Sequence, residues 1–264
     1  MEPFLPTPAY HTPSDGSRSP LRRVVGAGAV FYGTALRQVF LGSLEAVRGV
    51  FDRDRLHCRS LRVFRAVERA GGTIHVLGTD RLYEAPETAV FVANHMSTLE
   101  TFLFPCMIGP VRPLSFVVKE SLVTQPVFGP IMRACDPVTV TRRNPRADLK
   151  AVLQQGAEKL NDGSSVVIFP QQTRSPVFRA SRFNTLGVKL ARRAGVPVVP
   201  IALKTDFWGT GSHIRDLGPV DASRDVYFEF GAAIDSGDSQ RTVHGKVVTF
   251  LRERLQSWGV PCEE

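Results

Sequence analysis

The pattern of apolar and polar positions divides the chain into three regimes. Residues 1–20 are rich in Pro and Ser and show no period, which predicts a disordered tail. From Val24 to Val47 the chain turns apolar (VVGAGAVFYGTALRQVFLGSLEAV), with large residues all round a helical wheel. Arg37 interrupts the run, so its uncharged part is too short to predict a spanning helix. A helix of this kind is buried on most sides, in protein or in lipid. In the next segment Arg55, Arg59, Arg62, Arg65 and Arg69 fall within an arc of about 120°. Leu56, Leu61, Val63, Phe64 and Val67 occupy the opposite side. A basic amphipathic helix beside an apolar one suits an interfacial anchor, with the apolar face in lipid and the arginines on phosphates. An ordinary surface helix packed on a core carries the same pattern.

From residue 72 onward strands and helices alternate. The periodicity predicts strands over 73–77, 89–93, 114–118, 138–141, 165–169, 196–203 and 226–230. It predicts helices over 98–108, 127–134, 146–160, 184–194 and 239–258. The runs VVIF and VPVVPIAL read as strands buried on both faces. The fold class is therefore α/β, a central, mostly buried mixed sheet flanked by helices, with an N-terminal amphipathic helical segment. The expected organisation is a tail over 1–20, a helical membrane-association segment over 21–71 and an α/β domain over 72–264.

Charge sharpens the middle regime. The chain carries 33 basic and 25 acidic residues, net +8. Residues 16–70 hold eleven Arg against four acids (11 − 4 = +7), so nearly all the excess lies there. Such a concentration attracts a polyanion, either nucleic acid or an anionic membrane surface. No nucleic-acid reading motif appears and no aromatic residues interleave with the arginines, so a nucleic-acid partner is not expected. Cys58, Cys106, Cys135 and Cys262 are isolated from one another and from metal-ligand spacing, which argues against zinc and disulfides and for a reducing compartment. The start of the chain has no apolar h-region, so no signal peptide is expected. Residues 141–146 (TRRNPR) form a basic loop, suited to phosphates or simply to solvent. Phe207 and Trp208 fit a membrane interface or the core equally well.

The most informative stretch is AVFVANHMSTLETFLFP, residues 89–105. An apolar strand ends at Asn94-His95, and a helix follows with Ser97 or Thr98 as N-cap. His95 thus sits at the carboxyl end of a strand, where open α/β sheets build their sites. Glu100, five residues on, can face back and fix the imidazole tautomer, leaving the other ring nitrogen to accept a proton. A lone His at a strand end is also an ordinary loop residue. There is no GxSxG elbow, Walker loop or strand-preceded GxGxxG.

NHMSTLE resembles the NHxSxxD block of the 1-acylglycerol-3-phosphate O-acyltransferase family. Three further stretches resemble that family's other blocks in the same order: VVKESLVTQPVFGPIMR (117–133), IFPQQTRSP (168–176) and VPVVPIA (196–202). The resemblance covers about residues 72–205. It implies a glycerol-3-phosphate acyltransferase-like fold and transfer of an acyl group from acyl-CoA or acyl carrier protein to a lysophospholipid hydroxyl. It implies His95 as base and Glu100 as its orienting carboxylate. It implies acceptor contacts by Asn94, Ser97, Lys119, Gln171, Thr173 and Arg174, with no metal and no cofactor beyond the acyl co-substrate. With the N-terminal helical segment as anchor, the protein is expected peripherally on the cytoplasmic face of a membrane, and oligomeric state is left open. Glu100 stands where the family has Asp, and Gln171 and Gln172 stand where it has Glu and Gly. These departures leave the acceptor open. A catalytically inactive lipid-binding protein, or an acyltransferase for a non-glycerophosphate acceptor, is the alternative.

Overall fold

The computed structural model describes residues 2–14, 18–171 and 173–264. In chain order the elements are β1 (Ala9–His11), α1 (Arg22–Val47), α2 (Arg53–Ala70), β2 (Ile74–Leu77), α3 (Thr79–Glu84), β3 (Val90–Ala93) and α4 (Leu99–Ile108). There follow β4 (Leu114–Lys119), the short helices α5 (Glu120–Val123) and α6 (Gly129–Ala134), β5 (Val138–Val140), α7 (Pro145–Asn161) and β6 (Ser165–Ile168). The chain continues through β7 (Phe178–Arg179), α8 (Leu186–Ala194), β8 (Val198–Lys204), β9 (Val226–Phe230), α9 (Gln240–Ser257) and β10 (Cys262–Glu263).

Eight strands form one sheet in the order β1-β2-β9-β8-β3-β6-β4-β5. The β1–β2 and β8–β9 pairs are antiparallel and the others parallel, so the sheet is mixed, as the sequence predicts. Every residue of β3 (VFVA) and β6 (SVVI) is buried, which is why these strands are unbroken short runs rather than alternating ones. The helix ends carry their own signals. Asn144 accepts the Ala147 amide with Pro145 in the first turn of α7, and Asp52 accepts the Arg55 amide at the start of α2. Gly71, at φ +101°, stops α2 in a conformation that other residues adopt only with strain.

The start of the chain departs from expectation. The residues predicted as a disordered tail include β1, which pairs with His75–Leu77 on the sheet edge. Leu5 and Tyr10 are buried, Tyr10 Oη donates to Glu68 Oε1 at 2.6 Å, and Phe4, Tyr10 and Phe64 pack edge to face. A few apolar anchors outweigh the Pro-rich composition around them.

The two N-terminal helices pack against each other. Much of the apolar side of α2 packs inward: Val63, Phe64 and Val67 are buried in the core. Its arginines turn largely toward α1 and β1. Arg55 and Arg59 bond Glu45, Arg59 and Arg62 reach Gln38, Arg69 donates to Thr34, and Arg65 joins Glu68 and Tyr10. The polar acceptors that α1 presents to α2 supply the reason. Helix α1 buries Phe31, Ala35, Gln38 and Gly42 in one stripe and leaves Leu36, Phe40 and Val47 on the outer surface, Val47 at 71% exposure. It is long and apolar enough to cross a membrane by length and composition, although Gly26 (φ +85°) breaks its helical geometry. Phe207 and Trp208 belong to the core, with ring centroids 5.4 and 5.0 Å from Phe31.

Candidate active site

Five neighbouring strands, β8-β3-β6-β4-β5, each deliver one part of the site at their carboxyl ends. Thr205 follows β8, His95 follows β3, Gln171 and Arg174 follow β6, Lys119 closes β4 and Arg142 follows β5. The residues are up to 110 positions apart in sequence (205 − 95), and strand order sets them side by side.

His95 is fixed through its backbone and its ring. Its amide donates to Gln171 Oε1 at 2.8 Å, its carbonyl accepts the Ser175 amide at 2.9 Å, and its ring stacks on Phe169 at 4.3 Å. Nδ1 lies 2.8 Å from Glu100 Oε1. Glu100 is fully buried, and its carboxylate also accepts from the Met96 and Ser97 amides, Ser97 Oγ and Thr205 Oγ1. Burial pushes the Glu100 carboxyl up, but the bonds from His95, Thr205 and the backbone outweigh it, and the group lies below its ordinary value. A carboxylate this saturated stays ionised and holds the Nδ1–H tautomer, so the Nε2 lone pair is left for a substrate proton. Glu100 lies in the first turn of α4, where a carboxylate is also favoured by the helix dipole.

The other predicted residues separate into two groups. Asn94 does not face the site. Its amide donates to the Leu203 carbonyl and accepts the Leu203 amide, locking β3 to β8, because a buried amide must be satisfied at both ends. Ser97 is likewise buried and serves Glu100 and Thr205. Gln171 meets the His95 amide through a carbonyl that a carboxylate would also supply. Thr173 is exposed, with its amide on the Gln171 carbonyl, and Gln172 lies outside the described residues. Lys119 lines the cavity described below, and Arg174 sits at the start of α4 on Thr98 Oγ1 and Asp216.

Sequence reasoning missed Thr205, Phe169, Arg142 and Asp216. Thr205 was legible as the first hydroxyl beyond a buried strand. Arg142 lies in the basic loop noted above, at φ +59°. It lines the same cavity, and burial together with the nearby Arg174 charge pushes its guanidinium below the usual value, partly offset by Asp148.

A cavity of about 480 Å³ opens at His95. Its lining includes Lys119, Arg142 and Lys189, apolar side chains such as Phe102, Phe116, Phe128 and Met132, and Val39, Leu56 and Arg59 from α1 and α2. Cations set in a largely apolar lining suit an amphiphile with an anionic head.

This arrangement of base, carboxylate and cations on a mixed α/β sheet defines a class, and the chain belongs to the Acyltransferase family, whose model matches residues 73–204. It is similar to a 1-acyl-sn-glycerol-3-phosphate acyltransferase of Pseudomonas aeruginosa, 39% identical over 57% of this chain and 57% of that protein. A Chlamydomonas reinhardtii protein of the same name is 35% identical over 53% of this chain and 40% of that protein. The matched stretch thus spans roughly half the length of these relatives. The crystal structure of PlsC, the 1-acyl-sn-glycerophosphate (LPA) acyltransferase of Thermotoga maritima, superposes with a TM-score of 0.63 at 22% identity, over 92% of this chain and 98% of that one, and shares the fold.

Proposed function

We propose that the protein transfers a fatty acyl group from a thioester, acyl-CoA or acyl carrier protein, to the free hydroxyl of a 1-acylglycerol 3-phosphate or a closely related lysophospholipid. The observation that carries this reading is the His95–Glu100 pair beside a cavity whose lining combines Lys119, Arg142 and Lys189 with apolar side chains. His95 Nε2 takes the hydroxyl proton as the oxygen attacks the thioester carbonyl. The tetrahedral intermediate then expels the thiolate, which receives the proton from the imidazolium. Glu100 stabilises that cation without itself accepting the proton. Lys119, Arg142 and Arg174 hold the acceptor phosphate, each as a charge-assisted donor.

Access to such an acceptor calls for contact with a bilayer. The outward Leu36, Phe40 and Val47 of α1 form an apolar strip, with Arg37 exposed midway along the helix and Arg48 exposed at its C-terminal cap. In this reading α1 lies in the cytoplasmic interface of the membrane with those side chains in the acyl region. The decisive experiment follows acyl-CoA consumption with a lysophosphatidate acceptor in H95A, with folding checked by circular dichroism. Turnover should disappear while the fold persists; full turnover in H95A would refute the mechanism.

A further inference from the structure

Arg174 already holds an anion of the protein's own. Its Nη1 contacts Asp216 Oδ1 at 2.7 Å and also donates to Thr98 Oγ1. The Thr98 hydroxyl donates to the same Asp216 oxygen at 3.0 Å. One carboxylate oxygen therefore sits between a guanidinium and a hydroxyl, three residues from His95. Two such donors converging on an anionic oxygen are equally a seat for a phosphate oxygen.

The segment that brings Asp216 there is tied to the rest of the protein at its base. The Gly209 amide donates to the Pro219 carbonyl at 2.9 Å, Trp208 pairs with Val220, and Tyr32 Oη donates to the Gly218 carbonyl at 2.5 Å. Gly209 and Gly218 press backbone to backbone, where a side chain on Gly218 would meet the Gly209 carbonyl. At the tip the backbone is bonded to itself, the Gly211 amide to the Arg215 carbonyl and the Leu217 amide to the Ile214 carbonyl, while the side chains of Ile214 and Leu217 are exposed on either side of Asp216. Arg174 is 14% exposed and Asp216 54%, so the carboxylate has room to leave while the guanidinium stays.

We propose that Asp216 is an internal counter-ion of the acceptor site, holding the place of a phosphate oxygen on Arg174 and Thr98 and yielding it when the acceptor binds. This rests on the reading that Arg174 receives the acceptor phosphate. Every acceptor that uses Arg174 then binds more weakly by one factor, the reciprocal of the fraction of molecules in which Arg174 is free. The chemical step is unaffected. Half-exposed ion pairs of this kind are worth roughly a two- to fivefold change in affinity. A carboxylate that merely aimed Arg174 would act in the opposite direction, because its loss would weaken acceptor binding.

The test measures kcat and KM for 1-acylglycerol 3-phosphate at saturating acyl-CoA, with inorganic phosphate as a competing ion, in the full chain and in D216N, R174Q and the double variant. D216N should lower KM by roughly two- to fivefold, leave kcat unchanged and lower the inhibition constant of inorganic phosphate by the same factor. On the R174Q background D216N should have no effect on KM. An unchanged or raised KM in D216N, or an undiminished D216N effect on the R174Q background, overturns the proposal. R174Q alone tests the reading beneath it: a raised KM supports phosphate binding by Arg174, and an unchanged KM removes that reading whatever D216N does.

Discussion

Two carboxylates at this site each hold a nitrogen donor, Glu100 the His95 ring and Asp216 the Arg174 guanidinium, and they differ in almost every physical respect. Glu100 is fully buried and all of its contacts are internal, from a ring nitrogen, two backbone amides and two hydroxyls. Asp216 sits on a surface loop, half exposed, on one guanidinium and one hydroxyl. The first pair cannot separate without leaving a buried charge unsatisfied, which costs several kcal/mol. The second exchanges with solvent or ligand at about 1 kcal/mol or less. Permanence belongs to the group that orients the base, and exchange to the group beside the acceptor.

The contrast breaks most severely at its inner end. H95A should lower kcat by about 10³- to 10⁴-fold, measured as thioester consumption, since a positioned base contributes on that order. E100Q should follow at about 10²- to 10⁴-fold, because an amide cannot hold the imidazolium as a carboxylate does. E100Q carries a second signature. The folded state holds the Glu100 carboxyl below its ordinary 4.5, so the ionised group stabilises the fold above that pH and the contribution is lost as the pH falls through the lower folded value. The stability gap between wild type and E100Q, read by chemical denaturation, should therefore narrow below pH 4.5; a gap constant from neutral to strongly acidic pH would contradict it.

At the outer end the effects are smaller and fall on binding. R174Q should raise the acceptor KM by roughly ten- to a hundredfold, the worth of a hydrogen bond to a charged group, with kcat less changed. The L36S/F40S double variant should weaken sedimentation with anionic vesicles by roughly tenfold or more while turnover of a short-chain, water-soluble acceptor is retained. D216N should give the smallest change, in the favourable direction.

The sequence revealed most where one segment carried the whole signal. The strands β3, β6 and β8 were legible because burial on both faces demands unbroken apolar runs, and the His95–Glu100 pair because both residues lie on one strand–helix junction. Asp216 was not legible, since it reaches the site from more than a hundred residues beyond His95 and sits in no periodic pattern, and Thr205 offered only the signal of a hydroxyl beyond a buried strand. For α2 the period separated a basic side from an apolar side correctly. Its surroundings were another matter: Glu45 and Gln38 on the neighbouring helix turned arginines inward that composition had assigned to lipid phosphates. The strand β1 is three residues long, too short to show alternation at all.

The delivery of each polar group from its own strand end has a consequence for how such a protein can vary. An exchange in one loop alters one contact to the head group and leaves the sheet beneath, and the other four loops, intact. Gln171 illustrates the point: its carbonyl still anchors the His95 amide while the charge familiar at that place is gone. Lineages built on this scaffold are thus free to try new acceptors one loop at a time, without first rebuilding the base that activates them.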